Sequence, residues 1–205
     1  MREYSGLFIS VVWSSNMVRQ LLMPQLTGER VRLSAVQCAD VQQVLDYYQR
    51  NRQFLQPWEP LRDAHFYTHE FWMTELAARE QRLAEGTGIS FGVLHQHSNE
   101  LIGFCNFSNI VRGVFQACHL GYALDQRFEG QGFMSEALAL GIGYVFEQLH
   151  LHRVMANYMP ANLRSAAVLA RLGFVREGYA SRYLKINGVW EDHILTALIN
   201  PDPTL

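Results

Sequence analysis

The chain has 205 residues, 49% of them hydrophobic, and a formal net charge of −2. That is enough apolar material for one domain with a sizeable core and too little length for two. The near-neutral charge supplies no basic field to hold phosphate backbones, so no direct nucleic-acid partner is expected. Cys38, Cys105 and Cys118 sit in apolar or strand-like stretches and read as reduced, buried thiols of a cytoplasmic protein.

In chain order, the apolar run Leu7 to Trp13 comes first. It is far short of a membrane span, and Glu3 and Tyr4 ahead of it suit a secretory signal poorly, so no membrane partner is expected. Residues 1–25 read as an extension packed on the domain, or as an over-long start with Met17 or Met23 as the true beginning; residues 26–200 read as the domain. Glu29 to Leu33 alternates as a strand, with Val31 and Leu33 on one side and Arg30 and Arg32 on the other. A helix follows from Asp40, its plausible N-cap, with Val41, Val44, Leu45 and Tyr48 on one face. Pro57-Trp58-Glu59-Pro60 is expected to be a rigid loop outside helix and strand, because each proline fixes φ and lacks a donor. A second helix is expected over Tyr67 to Glu85, with Phe71, Leu76, Ala77 and Leu83 inward and Gly86 ending it. Three antiparallel strands should follow, at Ser90 to His95, Leu101 to Ile110 and Ala117 to Leu124, with bends at Ser98-Asn99 and Arg112-Gly113. Beyond the next helix the pattern predicts a strand over Arg153 to Met159 and a short helix from Leu163 to Leu172, ended by Gly173. Two last strands, Glu177 to Ile186 and Val189 to Leu198, meet at Asn187-Gly188, a strong hairpin signal. The order is β-α-α-β-β-β-α-β-α-β-β.

The stretch from Ala117 to Leu149 carries the chemistry. A strand runs into Arg127-Phe128-Glu129-Gly130-Gln131-Gly132, and a helix follows whose Met134, Ala137, Leu138, Gly141, Ile142, Val145, Phe146 and Leu149 recur at three- and four-residue steps. Two glycines let the backbone turn tightly, and the first amides of a helix have no internal partner, so the loop can cradle an anion; a Gly-x-Gly also occurs as a plain turn. The third glycine of a dinucleotide fingerprint would fall at Ser135, and no Gly-Lys-Ser/Thr is present, which argues against NAD and ATP.

Arg127-x-x-Gly130-x-Gly132 resembles the Arg/Gln-x-x-Gly-x-Gly/Ala signature of the GCN5-related N-acetyltransferases, and the element order agrees with their fold. The resemblance implies an α/β acyl-CoA N-acyltransferase fold, a mixed central sheet splayed between the fourth and fifth strands and flanked by helices, with acetyl-CoA as co-substrate and no metal. It implies that backbone groups of Tyr122, Ala123 and Leu124, freed by the splay, bind the pantetheine arm and polarise the thioester. Arg127 to Met134, including Gly130, Gln131, Gly132 and Phe133, would hold the pyrophosphate. Asn162 would hold the pantetheine. Seven residues later, where the family often has a tyrosine acid, stands Leu169; Ser165 is the expected substitute, with N-terminal helix capping as its alternative role. Glu59, beside Trp58, is the expected base or ammonium anchor, unless it is a solvent-facing acid. Asn106, His119 and Tyr158 are candidates for the acceptor pocket, although His119 also suits a core histidine. His65 and His69, four apart, lack a third ligand at metal spacing.

Asn51-Arg52-x-Phe54-Leu55-x-Pro57-Trp58-Glu59-Pro60-x-Arg62, Asn106-Phe107-Ser108-Asn109-x-Val111-Arg112-Gly113 and Ala156-Asn157-Tyr158-Met159-Pro160 look like the RimJ-type subgroup. That likeness runs from about Leu26 to Pro201. It implies acetylation of the N-terminal alanine of a small-subunit ribosomal protein, the fifth in its usual naming. Two other readings stay open: acetylation of a small amine such as a polyamine or antibiotic, and a coenzyme A-binding ribosome-assembly module without turnover.

Overall fold

The computed structural model describes residues 23–202. The expected extension over residues 1–25 lies outside them but for its last three residues, and the last of these, Gln25, opens a strand that sequence reasoning did not anticipate. The strands are β1 (Gln25–Thr27), β2 (Val31–Ala35), β3 (Ile89–His95), β4 (Leu101–Val111), β5 (Ala117–Leu124), β6 (Arg153–Met155), β7 (Val175–Ile186) and β8 (Val189–Ile199). The helices are α1 (Val41–Arg50), the short α2 (Arg52–Leu55), α3 (His69–Ala84), α4 (Phe133–Glu147) and α5 (Leu163–Arg171). All strands join one sheet in the order β1-β2-β3-β4-β5-β6-β8-β7, antiparallel except for the parallel β5–β6 pair.

Both faces of the sheet are covered. Val31 and Leu33 of β2, Phe91 of β3 and Phe107 of β4 pack under α4, which buries Phe133, Met134, Ala137, Leu138, Ile142 and Val145. Gly141 lets α4 come close, since a Cβ there would lie 2.9 Å from the Phe107 ring. On the other face, Val44, Leu45, Tyr47 and Tyr48 of α1 and Trp72 and Leu76 of α3 cover Phe104. Ala77, expected inward, is exposed, and Trp72 takes that place, stacked on Tyr48 at 4.6 Å between ring centroids.

Three local expectations change. Asp40 does not cap α1; its carboxylate accepts from the Gln37 N–H at 2.8 Å and closes the preceding 3-10 turn. Pro57 sits inside a 3-10 turn over Gln56–Trp58, allowed because a proline near the start of a turn lacks only an N–H that would have no partner there. Thr68, not an earlier residue, starts α3, its hydroxyl accepting from Phe71 N–H at 3.2 Å. The hairpin turn is as expected, with Asn187 and Gly188 both at positive φ, 45° and 86°.

The parallel pair decides where the site lies. β5 and β6 are in register only at Ala117–Arg153, Cys118–Val154 and His119–Met155. Beyond that point β5 stays with β4 as far as Leu124, whereas the chain after β6 stays with β8 through Ala156 N–H to Thr196 O at 3.0 Å and Tyr158 N–H to Ile194 O at 3.1 Å. The strand expected to reach Met159 therefore ends at Met155. The sheet splays between its fifth and sixth strands, which are the expected fourth and fifth once β1 is counted.

Candidate active site

Alternation along β5 determines which backbone groups face the gap. Gln116 C=O accepts from His152 and Arg153 N–H on the β6 side, and Asp125 N–H donates to Ile102 O on the β4 side. Even-numbered residues therefore present N–H and C=O to β6 and odd-numbered residues to β4. Where β6 has diverged, Tyr122 and Leu124 face the gap without a strand partner. Ala123 was expected with them; its backbone is turned to β4 opposite Phe104.

The loop after β5 is tied down by Asp125, 1% exposed, whose carboxylate accepts from Arg50 Nε at 2.7 Å, Asn51 Nδ2 at 3.1 Å, and Arg127 N and Nε at 2.9 and 3.0 Å. Burial alone would raise its pKa; the hydrogen bonds from Arg127, Arg50 and Asn51 outweigh that and hold it well below the usual range. Arg127 spends its guanidinium here and on Glu100, so its side chain braces the loop instead of lining the cleft. Gly130 and Gly132 have φ of +71° and +84°, and Gly132 is the residue before α4. The first α4 amides, which include Phe133 and Met134, have no partner within the helix, and the helix dipole adds partial positive charge at that end. Arg30 fastens the arrangement from outside: it donates to Gln131 O at 2.8 Å and to Glu136 in the first turn of α4 at 2.9 Å. Neither Arg30 nor Glu136 carries a sequence signal, because their meeting joins residues 106 apart.

A cavity of about 570 Å³ runs from this loop into the strand gap. Its walls come from Tyr122 and Leu124, from Gly130, Gly132 and Met134, from α5, and from the segment around Trp58 and Glu59. Asn162 caps α5, its Oδ1 accepting from Ser165 N–H at 3.0 Å, so Ser165 is one turn in and its hydroxyl does not cap. Ser165 Oγ lies 2.7 Å from Tyr122 Oη. Burial pushes the Tyr122 phenol up to about 12, with the Ser165 hydrogen bond pulling the other way. Leu169 is 1% exposed and packed in the core. Two further arginines, to which the sequence assigned no site role, line the cavity: Arg164, 3.3 Å from Glu129, and Arg171, 3.0 Å from Ser135 Oγ.

Opposite α5, Asn187 N–H donates to Glu59 O at 2.8 Å, so the β7–β8 hairpin tip holds the Glu59 backbone. The Glu59 carboxylate is 19% exposed, 3.6 Å from Arg62 Nε, and lines the cavity with Trp58, Phe54 and Leu55. Burial raises its pKa, while Arg62 and Arg79 pull it back. Asn106, His119 and Tyr158 do not line this cavity. Asn106 and His119 lie diagonally across the β4–β5 ladder with buried, unpartnered Oδ1 and Nδ1 atoms, and Tyr158 pairs through its backbone with Ile194.

The cavity fits a nucleotide-linked thioester. Gly130 lines it, and nothing lies within 4 Å of where a Gly130 Cβ would stand, so a side chain there would fill ligand space. The pocket is of the size that holds an organic ligand. Among the described residues no group of three metal-ligating side chains occurs.

The acetyltransferase (GNAT) domain model matches residues 30–175. The chain is 47% identical over 180 residues to the [ribosomal protein uS5]-alanine N-acetyltransferase of Escherichia coli, covering 88% of this chain and 93% of that one. Among solved structures it is similar to the ribosomal-protein-S5-alanine acetyltransferase of Vibrio fischeri, with TM-score 0.84 and 41% identity, covering 87% of this chain and 98% of that one. It is also similar to Mycobacterium smegmatis RimJ in complex with CoA-disulfide, with TM-score 0.81 and 27% identity, covering 89% of each.

Proposed function

The chain belongs to the GNAT acetyltransferase family, and on that footing we propose that it transfers the acetyl group of acetyl-CoA to the α-amino group of the N-terminal alanine of ribosomal protein uS5, in the cytoplasm. The observation that carries the reaction type is the one cavity in which the glycine loop, the unpaired β5 backbone and Glu59 converge. The acceptor is supported by likeness to relatives named for that activity.

When bound, acetyl-CoA supplies an electrophilic acyl carbon and a thiolate leaving group. The amides of Gly132, Phe133 and Met134 hold the diphosphate, and Asn162 Nδ2, left over from capping, is available to the pantetheine. The gap-facing backbone of Tyr122 and Leu124 orients the arm and donates to the thioester oxygen. Glu59, kept from full solvation, takes the proton of the incoming ammonium or holds it until it is lost. Ser165 serves the departing sulfur. Trp58, Phe54 and Leu55 wall the acceptor side.

A polyamine acceptor would want an acid-rich pocket, and the cavity-lining acids are Glu59 and Glu129, the latter paired with Arg164. Turnover with an alanine-starting peptide of the uS5 N-terminus, beside an internal-lysine peptide and a polyamine, tests the assignment by thiol release. Turnover restricted to the first peptide is expected. Equal or better turnover of the polyamine would overturn the acceptor, and coenzyme A binding without any turnover would overturn the enzyme.

A further inference from the structure

We propose that Tyr122 is a positioning residue for Ser165: its phenol donates to Ser165 Oγ and so turns the serine hydroxyl proton into the cleft, toward the leaving sulfur. This rests on the acetyl-transfer reading and names how its leaving group is stabilised.

The geometry leaves the serine little choice. Its N–H is taken by Asn162 Oδ1 at 3.0 Å, which fixes Ser165 in the first turn of α5, and its Oγ is 2.7 Å from Tyr122 Oη. The alternative acceptor for the phenol, Ser165 C=O, is at 3.4 Å and much weaker. Of the two hydroxyls the phenol is the stronger acid, so it is the donor and the serine oxygen the acceptor. Burial keeps that phenol protonated throughout the physiological range. Ser165 Oγ then has its proton free, and the open side of the contact is the cavity both residues line. The next turn of α5 offers no substitute, because Leu169 is buried in the core.

A serine hydroxyl is a weaker acid than a thiol, so it offers a hydrogen bond to charge developing on sulfur and not a net proton. The amine, having given one ammonium proton to Glu59, forms the C–N bond to the acyl carbon; the C–S bond breaks with its electron pair on sulfur, the second nitrogen proton leaves to solvent, and the thiolate is protonated from solvent. One residue thereby works twice: Tyr122 presents its backbone to the strand gap and its hydroxyl across the gap to α5.

The test uses the wild type, Tyr122→Phe, Ser165→Ala and the double variant. Calorimetry with coenzyme A and with desulfo-coenzyme A is paired with thiolate absorbance of the bound coenzyme followed from pH 7 to 10. The bound thiol is expected to titrate lowest in the wild type and about one unit higher in each variant, as one lost hydrogen bond to a charged atom implies. The double variant should match Ser165→Ala, because the phenol acts only through the serine. All four should bind desulfo-coenzyme A equally and melt together, and kcat should fall about tenfold in Tyr122→Phe with KM for acetyl-CoA unchanged. A Tyr122→Phe protein with wild-type thiol titration and kcat, or a double variant whose loss is the sum of the singles, overturns the proposal. A wild type that does not retain coenzyme A overturns the acetyl-transfer reading, and the proposal with it.

Discussion

Replacing Asp125 with alanine removes the group that joins the end of α1 to the glycine loop. The carboxylate is 1% exposed and accepts from Arg50, Asn51 and Arg127. Losing one partner of a fully buried ion pair costs about 3–5 kcal/mol, but Arg50 and Arg127 are 34% and 51% exposed and keep Glu100, so they recover part of that in water. Asn51 is 2% exposed and would lose one of the two acceptors of its side-chain N–H₂, a cost of about 1 kcal/mol or more. The sum is about 3 kcal/mol, which for a domain of this size lowers Tm by about 6–12 °C. The sign with pH follows from the depressed folded pKa of Asp125: its contribution is complete above the unfolded value of about 3.9 and is lost as pH falls from there through the folded value. Urea titrations of both proteins from pH 7 to 3 should show a gap near 3 kcal/mol that is constant down to about pH 4 and then narrows. A gap under about 1 kcal/mol at pH 7, or one that stays unchanged at pH 3, would refute the reasoning. Because Gln126 N–H donates to Asn51 Oδ1 at 3.2 Å, the same change should loosen the loop and weaken coenzyme A binding.

Two further substitutions probe the cleft. An α-amino group with pKa near 7.8 is only about one-seventh neutral at pH 7, so Glu59→Gln should lose about sevenfold in kcat/KM there and recover most of it by pH 9. The wild-type acid limb should stand above the ordinary carboxylate value, since burial raises the Glu59 pKa, and should be missing in the variant; a loss independent of pH would mean Glu59 positions the amine without taking its proton. Gly132→Ala forces a side chain into φ +84° with its Cβ 3.2 Å from Arg30 Nη2, the guanidinium that holds Gln131 O. It should cost about 1–2 kcal/mol of stability and at least tenfold in coenzyme A affinity. Gly86→Ala, at φ +68° with open space around it, shares the backbone strain and should leave that affinity unchanged; equal losses of affinity in both would remove the loop from the site.

Much of the architecture was legible because it is written in short-range patterns. The three- and four-residue spacing from Met134 to Phe146 specifies a helix with one buried face, Asn187-Gly188 specifies a two-residue turn at positive φ, and the two glycines before a helix specify a tight turn at positive φ. Each follows from the conformational limits of the residues present, whatever they pack against. Local rules misled where neighbours decided the outcome: Pro57 entered a 3-10 turn, and Trp72 instead of Ala77 faced the core once Tyr48 and Phe104 were there to receive it. The role of Arg127 belongs to the same class. Its spacing to the glycines is a property of the chain, yet its charge goes to Asp125 and Glu100 because folding buries one carboxylate between α1 and β5, and a buried carboxylate takes the nearest cations. The sequence alone determined that a glycine loop, a strand and a serine-bearing helix would exist. Only the tertiary structure decided that β5 and β6 part after three residues, that Tyr122 and Leu124 are the ones facing the gap, and that a phenol from the strand reaches a serine 43 positions away. Those facts depend on register and on contacts between distant segments, which local conformational preference does not encode.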